Sequence, residues 1–217
     1  QYYKKFISVL KKLNFEGGHP NPCLMTRRSK HGIVFIAVWV DDSLLVGNQA
    51  DIDETISDLR QEGFTLKVEG SLHDYLSCEI TIDRENKMGW IHQPHLLDKM
   101  EKKFGAEIEN LQRYRTPGTP GQGILRDTNA KVDAKKHKVY RSGVGMLLYL
   151  VKHSRPNISN AVRELTKALD APSPAAYKEM LRVIKYTIDT KDMALKIKPF
   201  EEESDGSWTI VVYSDSD

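Results

Sequence analysis

Apolar residues recur at helical spacing at Phe6, Val9, Leu10 and Leu13, with Lys4, Lys5, Lys11 and Lys12 around them. This pattern predicts an opening amphipathic helix, closed by Gly17 and Gly18. A short run from Cys23 to Met25, a basic turn from Arg27 to Gly32 and an apolar run from Ile33 to Val40 predict two strands joined by that turn. Asp41 and Asp42 follow, and then Leu44, Leu45, Val46 and Gly47: strand, acidic pair, strand. Asp51 with Glu54 has the form of a capping box, and the stripe Ile52, Ile56, Leu59 predicts a short helix to Glu62, closed by Gly63. Phe64 to Val68 alternates like a strand. Asp74 to Ile82 and Trp90 to Gln93 read as a hairpin about the polar turn 83–89, followed by a helix from Pro94 to Phe104 with Lys99, Lys102 and Lys103 on its basic face.

The segment Thr116 to Gly123 holds two prolines and three glycines, and the run after it to His137 is polar, which predicts a domain boundary there. Three helices are expected next, over Tyr140–His153, Pro156–Leu169 and Pro174–Tyr186, and then strands at Ala194–Ile197 and Trp208–Tyr213 flanking an acidic loop. The class is α+β.

Composition narrows the function classes. Hydrophobic residues are 40% and charged residues 29% of the 217, a globular mixture that excludes a collagen-like, mucin-like or wholly disordered chain. Lys and Arg number 32 against 30 Asp and Glu, so bulk charge does not announce a nucleic-acid partner and any such partner must rest on local clusters. Two cysteines, Cys23 and Cys78, provide neither a zinc set nor a disulfide framework, which suits a reducing compartment. The longest uncharged apolar run, Ile33 to Val40, is far shorter than the roughly 20 residues of a membrane helix. The expectation is a soluble intracellular protein without a membrane partner, and its ends look cut from a longer polypeptide.

The acidic pair is the most informative feature. A carboxylate amid so much apolar surface is costly unless solvated at a turn, paired or bound to a metal. Adjacent strand residues point to opposite faces, so consecutive aspartates serve one site only where the chain turns. There they suit Mg²⁺, which prefers oxygen ligands and keeps waters and substrate phosphates. From the residues alone a plain Asp-Asp hairpin turn stands beside this reading, since Asp favours turns.

Val38-Trp39-Val40-Asp41-Asp42-Ser43-Leu44-Leu45-Val46-Gly47 resembles the Tyr-Val-Asp-Asp motif of reverse transcriptases, in the form found in copia-like (Pseudoviridae-type) long-terminal-repeat retrotransposons. Asn21-Pro22-Cys23-Leu24 resembles that family's Asp-Pro-Cys-Leu block. Asp74-Tyr75-Leu76-Ser77-Cys78-Glu79-Ile80 resembles its Tyr-Phe-Leu-Gly-Ile-Glu-Ile block, and Ile91-His92-Gln93-Pro94 its His-Gln-Ser segment. Tyr140-Arg141, Leu148-Tyr149-Leu150 and Ser154-Arg155-Pro156-Asn157-Ile158 are similar to its Tyr-Arg, Leu-Tyr-Leu and Thr-Arg-Pro-Asp-Ile elements. These motifs come in order along nearly the whole chain.

The resemblance implies part of an RNA-directed DNA polymerase. Residues 1–115 would be the C-terminal part of a palm built on an antiparallel sheet, with a primer-grip hairpin. Residues 116–139 would be a linker, 140–190 a helical thumb or connection, and 191–217 the start of a ribonuclease H-like domain. Asp41 and Asp42 would be catalytic carboxylates and metal ligands for Mg²⁺, or Mn²⁺ in its place, with a third aspartate upstream; Asp215 would be the first ligand of the ribonuclease H site. Trp39, Tyr75, Leu76, Ser77, Lys99, Lys102 and Lys103 would meet the primer or other nucleic acid. The implied partners are an RNA or DNA template with its primer, deoxynucleoside triphosphates and the rest of the polyprotein. The implied locations are the cytoplasm, a virus-like particle or the nucleus. The 217-residue piece alone is not expected to polymerise.

Trp39 replaces the family's Tyr, Ser77 its Gly, and Ser43 an apolar residue. A non-catalytic remnant or host-adopted binding module is the competing reading. The basic clusters, including Lys135, Lys136, His137 and Lys138, can be read as phosphate contacts or as solvated helix faces. An unrelated Mg²⁺-dependent phosphohydrolase is disfavoured because no further acidic or histidine motif accompanies the pair.

Overall fold

The computed structural model describes residues 2–17, 21–40, 42–69, 74–121 and 130–198. The chain divides into two compact units, Gln1–Gly70 and Ser71–Asp217. Among the described residues it is α+β, with two four-stranded antiparallel sheets and six α-helices.

In the first unit, α1 (Tyr2–Lys12) buries Phe6, Val9 and Leu10, three positions that share one helical face. It ends earlier than the glycines suggested. Asn14 takes φ 64° and lets the Phe15 amide donate back to the Leu10 carbonyl, because Asn tolerates the left-handed region that closes a helix. Gly17 instead lies in β1 (Glu16–Gly17), which starts the sheet β1, β2 (Leu24–Ser29), β3 (Gly32–Trp39), β4 (Asp42–Val46). Strand β3 alternates as its sequence dictates: Val34, Ile36 and Val38 are buried, while Ile33, Phe35 and Trp39 are exposed on the other face. The buried side chains join Met25, Phe15 and Leu59 in one core, and each fully buried aliphatic contributes about 1.5–3 kcal/mol.

Helix α2 (Gln49–Gln61) starts two residues before the expected capping box. Asn48 is the cap, its side chain accepting from the Ala50 amide. Asp51 is buried in the first turn, where it accepts the Ser29 hydroxyl at 2.7 Å. Among the described residues, 64–69 have no ladder partner, so the strand expected at Phe64–Val68 is not seen there; Phe64 and Leu66 use its alternation to pack on the core.

In the second unit, the run expected as one strand from Asp74 to Ile82 breaks into β5 (Asp74–Tyr75) and β6 (Cys78–Asp83), joined by a tight turn at Leu76 and Ser77. Strand β7 (Met88–His92) pairs with β6, and β8 (Leu195–Ile197) pairs with β7. The strand expected to open a further domain therefore completes the sheet of the 74–92 meander; the other, Trp208–Tyr213, lies outside the described residues. A ring nitrogen of His92, 2.6 Å from the Lys191 carbonyl oxygen, helps hold that return.

The helical core is formed by α3 (Pro94–Ile108), α4 (Ala134–His153), α5 (Ser159–Thr166) and α6 (Pro174–Asp189), with Met100, Phe104, Val144, Leu147, Met180 and Ile184 at its centre. A linker was expected over 116–139, with α3 on its far side. The apolar stripe of α3 packs into the same core as α4–α6, and the start of the proline- and glycine-containing segment is docked on α6. Glu179 accepts from the Thr119 amide at 2.7 Å and its hydroxyl at 3.0 Å, and the Arg182 guanidinium donates to the Gly118 carbonyl and lies 4.2 Å from the Tyr114 ring centroid. Asp133 caps α4 through the Lys136 amide, so the polar run before Tyr140 is helix from Ala134 onward.

Candidate functional site

Each unit carries one part of the predicted chemistry. In the first, β3 and β4 form a tight hairpin whose last paired residues are Trp39 and Asp42. Val40 follows Trp39 with φ 51°, a conformation that a β-branched residue adopts only where the surroundings require it. Asp42 opens β4 and is exposed, as are Ser43 and Trp39; the indole is 53% exposed, so it serves as surface and not as core. Beyond β4, Gly47 passes close over β3: a Cβ there would sit 3.3 Å from the Ile33 carbonyl oxygen and the Val34 Cα, which accounts for the glycine that ends the motif. Asp41 and Asp215 lie outside the described residues.

Asp42 offers the hard carboxylate oxygen that Mg²⁺ prefers. Such an ion needs only one or two protein carboxylates when waters and substrate phosphates complete its shell. The described residues thus fit the ion in donor chemistry while supplying a single ligand, and among them no group of three or more His, Cys, Asp or Glu residues could hold a metal.

In the second unit, Ser77, His95, Leu96, Asp98, Lys99, Lys102 and Tyr149 line a cavity of about 540 Å³. This brings three of the predicted nucleic-acid residues, Ser77, Lys99 and Lys102, to one place. Lys103 is not among them: its ammonium donates to the Ser142 hydroxyl on α4 and lies 5.6 Å from the Phe104 ring centroid. Tyr75 and Leu76 are half-buried at the rim turn. Leu76 and Ser77 have φ 52° and 60°. For L residues that region costs roughly 1–2 kcal/mol each, so the Gly that the resemblance expects at position 77 has a clear conformational reason.

The cavity adjoins the first turn of α3, where Gln93 makes no side-chain cap and Pro94 stands at the first position. Two ammonium groups and a helix N-terminus favour an anion, against one opposing carboxylate, Asp98. Chemically this can hold a phosphodiester without reading its sequence.

Sequence reasoning missed His95 and Tyr149. The signal for Tyr149 was present: with Leu148 it is a large side chain off the buried stripe of α4, and both are exposed. Reasoning also left Arg155 as a motif letter, whereas it is a buried structural pin. Its guanidinium donates to the Thr190 carbonyl at 3.0 Å, the Thr190 hydroxyl at 2.8 Å, the Thr187 carbonyl at 3.4 Å and Asn157 Oδ1 at 3.1 Å, closing the end of α6. Ser154 beside it donates to the buried Gln93 side chain at 2.8 Å. The Ser-Arg-Pro-Asn run is therefore a joint between helices α3, α4 and α6.

The Pol polyprotein from transposon TNT 1-94 of Nicotiana tabacum is 24% identical over 194 residues, 86% of this chain and 14% of that protein. A transposon Ty5-1 protein of Saccharomyces cerevisiae is 26% identical over 212 residues, 96% of this chain and 65% of its own length. The homologues are Pol polyproteins of copia-like retrotransposons. The Pol polyprotein from transposon RE2 of Arabidopsis thaliana extends the likeness to 100% of the chain at 22% identity, again over 14% of the relative. The chain thus spans a small part of the plant polyproteins and just under two thirds of the yeast protein. No protein-family model and no solved structure matches it. Among the described residues, no helix is long and apolar enough to cross a membrane.

Proposed function

We propose that this chain is the portion of a copia-like Pol polyprotein that supplies the acidic turn and the primer-holding surface of an RNA-directed DNA polymerase. The observation that carries the reading is the β3–β4 hairpin, closed by Trp39 and Asp42 with Val40 held at φ 51°, in a chain whose homologues are retrotransposon Pol polyproteins.

Asp41 and Asp42 would hold two Mg²⁺ ions, or Mn²⁺, together with an aspartate from upstream in the polyprotein. Bound metal would supply the Lewis acidity for nucleotidyl transfer, assisting ionisation of the primer 3′ hydroxyl and relieving charge on the leaving pyrophosphate. The exposed Trp39 indole offers a flat surface for the incoming deoxynucleotide or the primer end. Lys99 and Lys102 neutralise backbone phosphates of the primer–template. In this reading the first unit belongs to the palm, α4–α6 to the thumb or connection, and 199–217 opens a ribonuclease H-like domain with Asp215 as a ligand. Function then lies in the cytoplasm, a virus-like particle or the nucleus.

The test is Mg²⁺-dependent incorporation of deoxynucleotides on an RNA template by the Pol polyprotein that carries this segment. Loss of incorporation in Asp41→Asn, with folding and hybrid binding retained, is expected. Unchanged incorporation in that variant overturns the reading in favour of a non-catalytic module.

A further inference from the structure

The turn between β5 and β6 places Leu76 and Ser77 both in the left-handed region without a glycine to ease it. Such a turn persists only where something outside it fixes its shape. One such fixture comes from α4: the Tyr149 hydroxyl donates to the Leu76 carbonyl oxygen at 3.0 Å. The same tyrosine is itself held, its ring centroid 4.3 Å from that of His153 and its carbonyl oxygen 2.9 Å from His153 Nδ1. Tyr149 and Ser77 both line the cavity that contains Lys99 and Lys102. Because the peptide unit is planar, holding the Leu76 carbonyl also fixes the direction of the Ser77 amide.

We infer that Tyr149 is a positioning residue for strand binding: its hydroxyl holds the Leu76–Ser77 turn in the shape that lets the cavity grip the sugar-phosphate backbone of the primer strand. This rests on the proposed primer-holding role of the same cavity. Lys99 and Lys102 supply the charge from α3, whereas Tyr149 touches the turn and sets the shape of the opposite wall. Charge and shape can therefore be separated experimentally.

The experiment is fluorescence-anisotropy titration of the full chain with a labelled DNA primer on an RNA template, repeated across a salt series. Lys99→Gln and Lys102→Gln are each expected to lower the salt slope by about 1. Tyr149→Phe is expected to weaken binding about 5–10-fold with the slope unchanged, since no phosphate contact is removed. Adding Ser77→Gly to Tyr149→Phe is expected to restore affinity to within about twofold, because glycine adopts the turn without the hydroxyl's help. A merely structural tyrosine would lower the Tm in Tyr149→Phe and leave the affinity of the folded chain, measured well below that Tm, unchanged.

Wild-type affinity in Tyr149→Phe, with the lysine variants still lowering the slope, overturns the positioning role and leaves the primer-holding reading standing. A weakened Tyr149→Phe that Ser77→Gly does not rescue also overturns it. Absence of salt-sensitive hybrid binding by the wild-type chain overturns the primer-holding reading, and the inference with it.

Discussion

Arg155→Ala is the most consequential single change the structure predicts outside the candidate site. The side chain is 1% exposed, and among the described residues its hydrogen-bond partners are carbonyl, hydroxyl and amide oxygens and the Met193 sulfur, with no carboxylate. Two opposing effects decide the outcome. Removing a buried cation recovers its desolvation, which burial already expresses by pulling the guanidinium pKa below its ordinary value. Against that, the Thr187 carbonyl loses its donor, at about 1–3 kcal/mol if left unsatisfied, while the Thr190 carbonyl keeps the Met193 amide at 3.0 Å, and the lost hydrogen bonds to a charged group contribute about 1.5–3 kcal/mol each without being additive. The end of α6 also loses a positive charge where its dipole is negative. The losses outweigh the gain, and a net destabilisation of about 3–4 kcal/mol is expected, the size of about two lost hydrogen bonds to a charged group. For a unit of this size that is a fall of roughly 6–16 °C in Tm. Urea unfolding followed by circular dichroism, with hydrogen exchange of the α6 amides to assign the transition, measures it. Arg155→Lys keeps the charge but not the fork and is expected to fall between. A loss below about 1 kcal/mol for Arg155→Ala would refute the conclusion that the end of α6 depends on this side chain.

Gly143 and Gly145 lie two residues apart in α4 and should respond with opposite signs. A Cβ at Gly143 would sit 2.6 Å from Met180 Sδ and 3.1 Å from Phe104 Cζ, so Gly143→Ala is expected to lose about 1–2 kcal/mol of stability, whereas Gly145 has nothing within 4 Å and Gly145→Ala should gain up to about 1 kcal/mol in helix propensity. Equal effects in thermal unfolding would contradict the packing of α3 and α6 on that face. Ser77→Gly alone relieves the turn strain, less the entropy of an added glycine, and should raise stability by about 0.5 kcal/mol; a measured loss would mean that the left-handed turn is not populated in solution. The Asp133 carboxylate is held below its ordinary value chiefly by the Lys136 amide, so the cap of α4 contributes fully above the usual carboxylate pKa and is lost as pH falls through the lowered one. Asp133→Asn, which keeps a capping oxygen, should flatten that acid limb of the stability profile.

Period and punctuation made much of this fold legible. The alternation through Val34, Ile36 and Val38 assigned β3 its buried face, and the helical stripes found α1 and α3–α6. What escaped was long-range. No local signal says that β8 returns to β7 across about a hundred residues, or that the glycine-rich start of 116–139 is pinned by Glu179 and Arg182. Turn chemistry misled twice, at Asn14 and at Leu76–Ser77, because non-glycine residues take positive φ there. Of the candidate site, the gathering of Ser77, Lys99 and Lys102 is visible only in three dimensions, and so is the diversion of Lys103 to Ser142. The turn that ends at Asp42 was legible from its apolar flanks, which by themselves left a plain hairpin turn beside a metal site, and the structure adds the strained Val40 beside it.

The central claim is that the acidic turn performs nucleotidyl transfer. Its most direct test is single-nucleotide incorporation on an RNA template by the Pol polyprotein carrying this segment, with Mg²⁺, comparing the wild type with Asp41→Asn at saturating primer–template and nucleotide. Incorporation in Asp41→Asn is expected to fall at least about a thousandfold, roughly 4 kcal/mol of lost transition-state stabilisation. Incorporation within a few-fold of wild type would contradict it.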